Sequence, residues 1–232
     1  MNIIITGASS GVGLALTLAL AKAGHQVVGL ARKVQSLEDE AAVQALTLKA
    51  VSCDVTDAQQ VQKVISDLVG AWGGRLDVLI NNAAVFEKVP FVQQSFAQID
   101  RLVDTNLKGV LYSTRSALPY LLAQKSGHII MISSVAGTRG IPGESTYCST
   151  KHGVNGFAEA LAQEVLDQGV KVTTLCPGGI DTALWHDGNP YGGDKSKIMQ
   201  PSELVDAVNY VLSMPKTTYM KRMVFFPTGE WH

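Results

Sequence analysis

Tyr147 and Lys151 stand four residues apart, and Ser134 lies thirteen residues upstream of Tyr147. The short spacing sets a phenol and an ammonium on one face of a helix. A tyrosine hydroxyl ordinarily titrates at about 10, too high for an efficient base at neutral pH, and a protonated lysine nearby lowers that value by favouring the phenolate. Ser134 follows an apolar run and can donate a hydrogen bond to a substrate oxygen as charge grows there. Near the amino end, Thr6-Gly7-Ala8-Ser9-Ser10-Gly11-Val12-Gly13 follows an Ile-rich strand candidate and opens a helix candidate. Gly7 permits a tight exit from the strand, while Gly11 and Gly13 allow close approach of phosphate and packed backbone. The N–H groups at the helix start then face the phosphate with a positive dipole behind them. Proton transfer at an oxygen, beside a dinucleotide able to carry hydride, is the chemistry these residues imply.

The elements that must position them alternate along the chain. Strands are expected at Asn2–Thr6, Gln26–Leu30, Gln44–Lys49, Val78–Ile80, His128–Ser133, Lys171–Leu175 and Met223–Phe226. Ile3-Ile4-Ile5 and Ile129-Ile130-Met131-Ile132 lack polar alternation, as strands covered on both faces do. Helices are expected near Gly11–Ala23, Asp57–Trp72, Ser95–Leu122, Thr146–Gln168 and Pro201–Ser213. Ala23-Gly24 marks a helix stop, Pro201-Ser202-Glu203 a start, and Pro215 another stop; Pro119 should end or kink its helix locally. Right-handed crossovers turn this order into an α/β doubly wound Rossmann fold. The expectation is one domain over residues 1–232, with a predominantly parallel seven-stranded sheet flanked by helices.

Composition narrows the function classes. Apolar residues make up 46% and charged residues 17% of 232, which fits a folded domain. A formal charge of -1 without a basic stripe argues against nucleic acid or a membrane surface as partner. Cys53, Cys148 and Cys176 are too few and too unevenly spaced for a disulfide framework or a cysteine zinc site, so no metal is expected. The start at Met1-Asn2-Ile3 lacks the basic region of a signal peptide, and the expected location is cytoplasmic.

The second strand candidate runs into Leu30-Ala31-Arg32-Lys33, where a carboxylate would bind the ribose hydroxyls of NAD(H). Two cations stand there instead, with nothing to repel a 2′-phosphate, so NADP(H) is expected ahead of NAD(H), with Arg32 the leading contact. Asp54 and Val55 follow the third strand; Asp54 can accept a bond from the adenine amino group or, like Asp57, cap the next helix. Asn81-Asn82-Ala83-Ala84 follows the fourth, where small Ala83 lets backbone approach adenosine and Asn82 can satisfy the turn.

Taken together, these residues resemble the classical short-chain dehydrogenase/reductase family. The resemblance runs through essentially the whole chain, on the TGxxxGxG pattern at Thr6–Gly13, Asn81-Asn82-Ala83, and the Ser134, Tyr147 and Lys151 set. Ala84 departs from the usual glycine of the Asn-Asn-Ala-Gly turn. The resemblance implies Asn106 as a fourth catalytic-site residue, supporting a water-linked proton route toward the lysine. It also implies that Lys151 binds the nicotinamide ribose, and that Pro177, Gly178, Ile180 and Thr182 form the nicotinamide-side loop. The implied activity is reversible NADPH-dependent carbonyl reduction, with Tyr147 as acid/base.

Substrates compatible with the resemblance are a 3-oxoacyl thioester or another small ketone, or a sugar or polyol alcohol. A noncatalytic dinucleotide-binding redox sensor is the alternative from another class. A homodimer or homotetramer is the implied assembly. Specificity is expected to reside in a substrate loop at 184–200, which holds Trp185, His186 and Tyr191, facing Phe86, Val89, Ala136 and Thr138. The short tail from Phe225 to His232 leaves the transfer of any particular substrate open.

Overall fold

The computed structural model describes residues 1–185 and 190–229. Seven strands form one sheet: β1 (Asn2–Thr6), β2 (Gln26–Ala31), β3 (Lys49–Ser52), β4 (Val78–Asn81), β5 (Gly127–Ile132), β6 (Val170–Pro177) and β7 (Arg222–Phe225). Their order is β3-β2-β1-β4-β5-β6-β7, and every neighbouring pair is parallel. The helices are α1 (Gly11–Lys22), α2 (Gln35–Val43), α3 (Ala58–Ala71), α4 (Phe96–Val103), α5 (Gly109–Ala123), α6 (Ser145–Val165) and α7 (Pro201–Ser213).

The apolar runs explain the layers. Ile3, Ile4 and Ile5 are all fully buried, yet successive side chains enter opposite cores because a strand alternates its faces. Ile4, Ile129 and Met131 join the layer that includes α3, α5 and α6, whereas Ile3, Ile5, Ile130 and Ile132 join the one beneath α1 and α7. The topology reverses between β1 and β4, which pair through Ile5 and Ile80. In sheets of this kind the crevice at that reversal, outside the carboxyl ends of the strands, is where ligands bind.

Three expectations need correction. The third strand is Lys49–Ser52, not Gln44–Lys49, and a helix not anticipated from the sequence precedes it. Leu37 and Ala41, one turn apart, bury the face of α2, which consumes the chain to Val43 before pairing with β2 can begin. The span Ser95–Leu122 is two helices joined by a π-helical segment, Asp104–Lys108. Ser95 opens α4 with a reciprocal capping box to Gln98. Pro119 does not end its helix: α5 runs through it to Ala123. The other stops and starts agree, with Ala23 closing α1, Pro201 in the first turn of α7 and Met214 as its cap. Among the described residues no helix is long and apolar enough to cross a membrane, and no cluster of metal-ligating side chains occurs.

Candidate active site

The carboxyl ends of β1 to β6 open into one cleft of about 570 Å³. At its floor Gly7 takes a φ of 69°, a left-handed turn that L side chains rarely adopt. A Cβ there would lie 2.6 Å from the Ala83 Cα, so the β1 turn sits directly on the end of β4. Gly13 is the closest approach: a Cβ would come within 2.1 Å of the Gly7 carbonyl oxygen. Asn82 ties these pieces together, its Nδ2 donating to the carbonyls of Thr6 at 3.0 Å and Gly7 at 3.1 Å. Thr6 returns the contact, its hydroxyl oxygen accepting from the N–H groups of Asn82 and Ala83. Ser10 is the N-cap of α1 but makes no side-chain cap, so the first-turn N–H groups remain available to an anion. The arrangement has the room and the donors to hold a pyrophosphate.

Ser9, Ser10, Gly11, Val12, Arg32, Asp54, Val55, Asn82 and Ala83 line the cleft with Gly7 and Gly13, as do Pro177, Gly178, Ile180 and Thr182. Lys33 does not; it is exposed outside the lining. Asp54 accepts from the Thr56 N–H and hydroxyl at 2.9 and 2.8 Å, and these bonds hold its carboxyl below the usual range, with Arg32 adding to the effect. Asp57, rather than Asp54, caps α3. The Thr182 hydroxyl oxygen accepts from the Leu184 N–H at 3.3 Å, and its side chain packs across from Gly11.

The candidate reacting groups come from the end of β5 and from α6. Ser134 follows β5 and its Oγ accepts the Ala136 N–H at 3.1 Å, capping the short turn Val135–Gly137. The serine hydroxyl stands beside the Tyr147 phenol on the same cleft wall. Tyr147 and Lys151 both face the cleft from α6, and both are buried. Burial pushes the phenol of Tyr147 above its ordinary value; Ser134 opposes that rise and Glu144 adds to it. Lys151 is brought down to about 8 by burial, partly offset by Cys176.

The Lys151 Nζ lies 5.6 Å from the Tyr147 ring centroid and donates to the Ile132 carbonyl at 3.0 Å. Burial is the largest influence on the phenol. Two buried contacts fix this register: Ser133 Oγ donates to the Lys151 carbonyl at 3.4 Å, and Asn155 Nδ2 donates to the Gly137 carbonyl at 2.8 Å.

Asn106 lies behind the cleft wall, fully buried, and does not line it. Its Oδ1 accepts the Val85 N–H at 2.7 Å and its Nδ2 donates to the Val85 carbonyl at 2.8 Å, with a longer contact to Thr150 Oγ1 at 3.4 Å. The π-helical turn delivers this side chain to the loop after β4.

At the substrate end, Phe86 meets Tyr147 edge-on with centroids 4.8 Å apart, Trp185 meets Phe86 at 4.9 Å, and Tyr191 meets Trp185 at 5.2 Å. Of the expected wall residues Phe86 lines the cleft, whereas Val89, Ala136 and Thr138 do not. Val89 donates its N–H to the Gly143 carbonyl, and Ala136 is buried in the small cluster beneath Tyr147. His186 lies outside the described residues. Lys88, Arg139 and Glu144 line the cleft and went unnoticed in the sequence, because nothing local marks a loop lysine or arginine as facing inward.

Comparison with known proteins agrees with this geometry. The family model described as short chain dehydrogenase matches residues 1–190. An uncharacterized oxidoreductase of Staphylococcus aureus strain USA300 is 33% identical over 225 residues, covering 97% of this chain and 96% of the relative. An alcohol dehydrogenase of the archaeon Thermococcus sibiricus, solved with 5-hydroxy-NADP, superposes with a TM-score of 0.87 at 27% identity, over 98% of this chain and 97% of that one. A metagenomic short-chain oxidoreductase solved with NADP superposes at 0.83 with 28% identity, over 98% and 97%. With a cradle for a dinucleotide leading to a buried tyrosine, and with most of its length matched, this chain belongs to the short-chain dehydrogenase family and is an NAD(P)-dependent oxidoreductase.

Proposed function

We propose that the protein uses NADPH to reduce a small or medium carbonyl compound, a 3-oxoacyl group being one such substrate, with Tyr147 as the proton donor. The observation that carries this reading is the meeting of Ser134 and Tyr147 with the phosphate cradle of Gly7, Gly11 and Gly13 in one cleft. When bound, the nicotinamide supplies the hydride. Ser134 and Tyr147 hold the carbonyl oxygen, and Tyr147 passes its proton there as negative charge develops. That phenol, raised above its ordinary value by burial, is protonated at neutral pH and so has a proton to give. Lys151, one turn away, is set to bind the nicotinamide ribose and to carry the proton onward. Asn106 supports that route by holding the Val85 segment against α6.

NADPH is preferred in this reading because Arg32 reaches the cleft where an NAD-selective site carries a carboxylate. The NADP complexes of the structural relatives support the same choice. Assembly as a homodimer or homotetramer belongs to the proposal on family likeness. The test is NADPH oxidation, followed by absorbance, across a broad panel of ketones, aldehydes and 3-oxoacyl thioesters. Turnover of part of that panel is expected; NADPH binding with no hydride transfer to any member would favour a dinucleotide-binding module instead.

A further inference from the structure

Asn155 lies on α6 one turn beyond Lys151, as Tyr147 lies one turn before it, so the three follow one face of the helix. Unlike the other two it does not line the cleft. It is buried, at 4% exposure, against the turn that carries Ser134. Asparagine is a poor helix former, and a buried carboxamide must find partners for both its ends. Here both partners lie outside the helix. The Nδ2 donates to the Gly137 carbonyl at 2.8 Å, and the Oδ1 accepts from the Cys176 thiol at 3.8 Å. The opposite orientation would set one acceptor against another at Gly137, so the carbonyl defines which way the side chain points.

The turn it grips is otherwise shaped by local bonds. Ser134 Oγ accepts the Ala136 N–H, the Gly137 N–H donates to the Ser134 carbonyl at 2.9 Å, and the Thr138 hydroxyl donates to the Val135 carbonyl at 2.8 Å. Such bonds give the turn its form; the Asn155 bond, spanning eighteen residues, ties that form to α6. Gly137 permits the close seat. A Cβ there would lie 2.7 Å from the Asn155 Nδ2, 2.8 Å from the Lys151 carbonyl oxygen and 2.9 Å from the Ser133 Oγ. Cys176 stands at the end of β6, immediately before Pro177 and Gly178 of the cleft wall. One carboxamide therefore joins the serine turn, the tyrosine helix and the end of β6. A donor to a developing oxyanion must be held closely, and an error of about 1 Å can cost on the order of a hundredfold in rate.

We infer that Asn155 is a positioning residue for the reaction: its carboxamide seats the Val135–Gly137 turn on α6 and so fixes the Ser134 hydroxyl relative to Tyr147. The inference rests on the reductase reading, in which Ser134 and Tyr147 share the carbonyl oxygen. It assigns to Asn155 an effect on rate that passes through Ser134.

The experiment is a double-mutant cycle. Asn155→Leu keeps a similar volume and removes both hydrogen bonds; Ser134→Ala removes the hydroxyl that Asn155 positions. The kcat of the parent, both single variants and the double variant is measured on the best carbonyl substrate of the panel at saturating NADPH. Asn155→Leu should lower kcat about tenfold, while its Kd for NADPH stays within about twofold of the parent value. In the Ser134→Ala background the same substitution should cost less than about twofold, because the two side chains act as a unit. Parent-like kcat in Asn155→Leu would overturn the positioning role. So would an equal loss with and without Ser134, which is what a general loosening of α6 produces. Gly137→Ala keeps Asn155 but forces the turn off α6; it should show the same Ser134-dependent loss, and it decides the matter if the leucine variant does not fold.

A readout independent of turnover is amide hydrogen exchange. In Asn155→Leu the amides of Ala136, Gly137 and Thr138 should exchange about tenfold faster than in the parent, while those of the Gly7–Gly13 cradle keep their rates. Unchanged exchange in the turn would overturn the inference. Faster exchange there in a protein that reduces no member of the panel would uphold Asn155 as the seat of the turn and strike the reductase reading instead.

Discussion

At the residue scale, the site depends on what burial does to two titratable groups. Lys151 falls to about 8 from an ordinary 10.5 because its ammonium is desolvated, with the Ile132 carbonyl as hydrogen-bond acceptor. Between those two values the unfolded chain binds more protons than the folded one at this position, so the lysine's contribution to stability rises with pH across that window. Below about 8 the full cost of the buried ammonium is present. Lys151→Met should therefore raise Tm relative to the parent more at pH 7 than at pH 10. An equal Tm difference at the two pH values, in thermal unfolding, would mean that Lys151 is not strongly desolvated.

Arg32 poses a question of charge recognition at the same scale. Arg32→Asp should weaken NADPH binding about 10- to 100-fold more than NADH binding, since it replaces a phosphate partner with a like charge. Equal losses in fluorescence titrations with the two cofactors would remove Arg32 from the 2′-phosphate.

At the element scale, the π-helical segment between α4 and α5 is the distinctive device. It places Asn106 where one carboxamide satisfies both backbone groups of Val85, immediately before Phe86 and the loop that carries Lys88. Removing that side chain leaves a part-buried N–H and carbonyl without their partner, at a cost of up to about 1–3 kcal/mol for each such group. Asn106→Ala should lower Tm by several degrees and reduce kcat through displacement of the Phe86 wall, while NADPH affinity changes little. A variant with unchanged Tm and unchanged kcat would show that the loop holds its position without Asn106. Pro119 shows the converse, that a helix packed on a sheet can absorb one missing backbone donor without ending.

At the scale of the whole molecule, the sheet was legible because consecutive Ile and Val residues have no amphipathic alternative as short covered strands. The cradle was legible because its glycines occur where a strand meets a helix, and the Ser134, Tyr147 and Lys151 spacing is local to one strand end and one helix. The stretch from Gln35 to Ser52 was not, since Leu37 and Ala41 bury only a narrow stripe and polar residues surround it; pairing with β2, a long-range contact, decides where β3 begins. The break at Asp104–Lys108 was hidden for a similar reason: its anchor, Val85, is twenty-one residues away in sequence. Lys88 and Arg139 look like any surface cations until the fold turns their loops toward the cleft.

The central claim is that the Tyr147 phenol gives its proton to the oxygen whose carbon receives hydride from NADPH. Tyr147→Phe keeps the ring that packs against Phe86 and removes only the hydroxyl. Measured on the best carbonyl substrate of the panel, this variant should bind NADPH with affinity near that of the parent and lose about 100-fold or more in kcat, on the scale of general acid catalysis. Parent-like kcat in Tyr147→Phe would contradict the account.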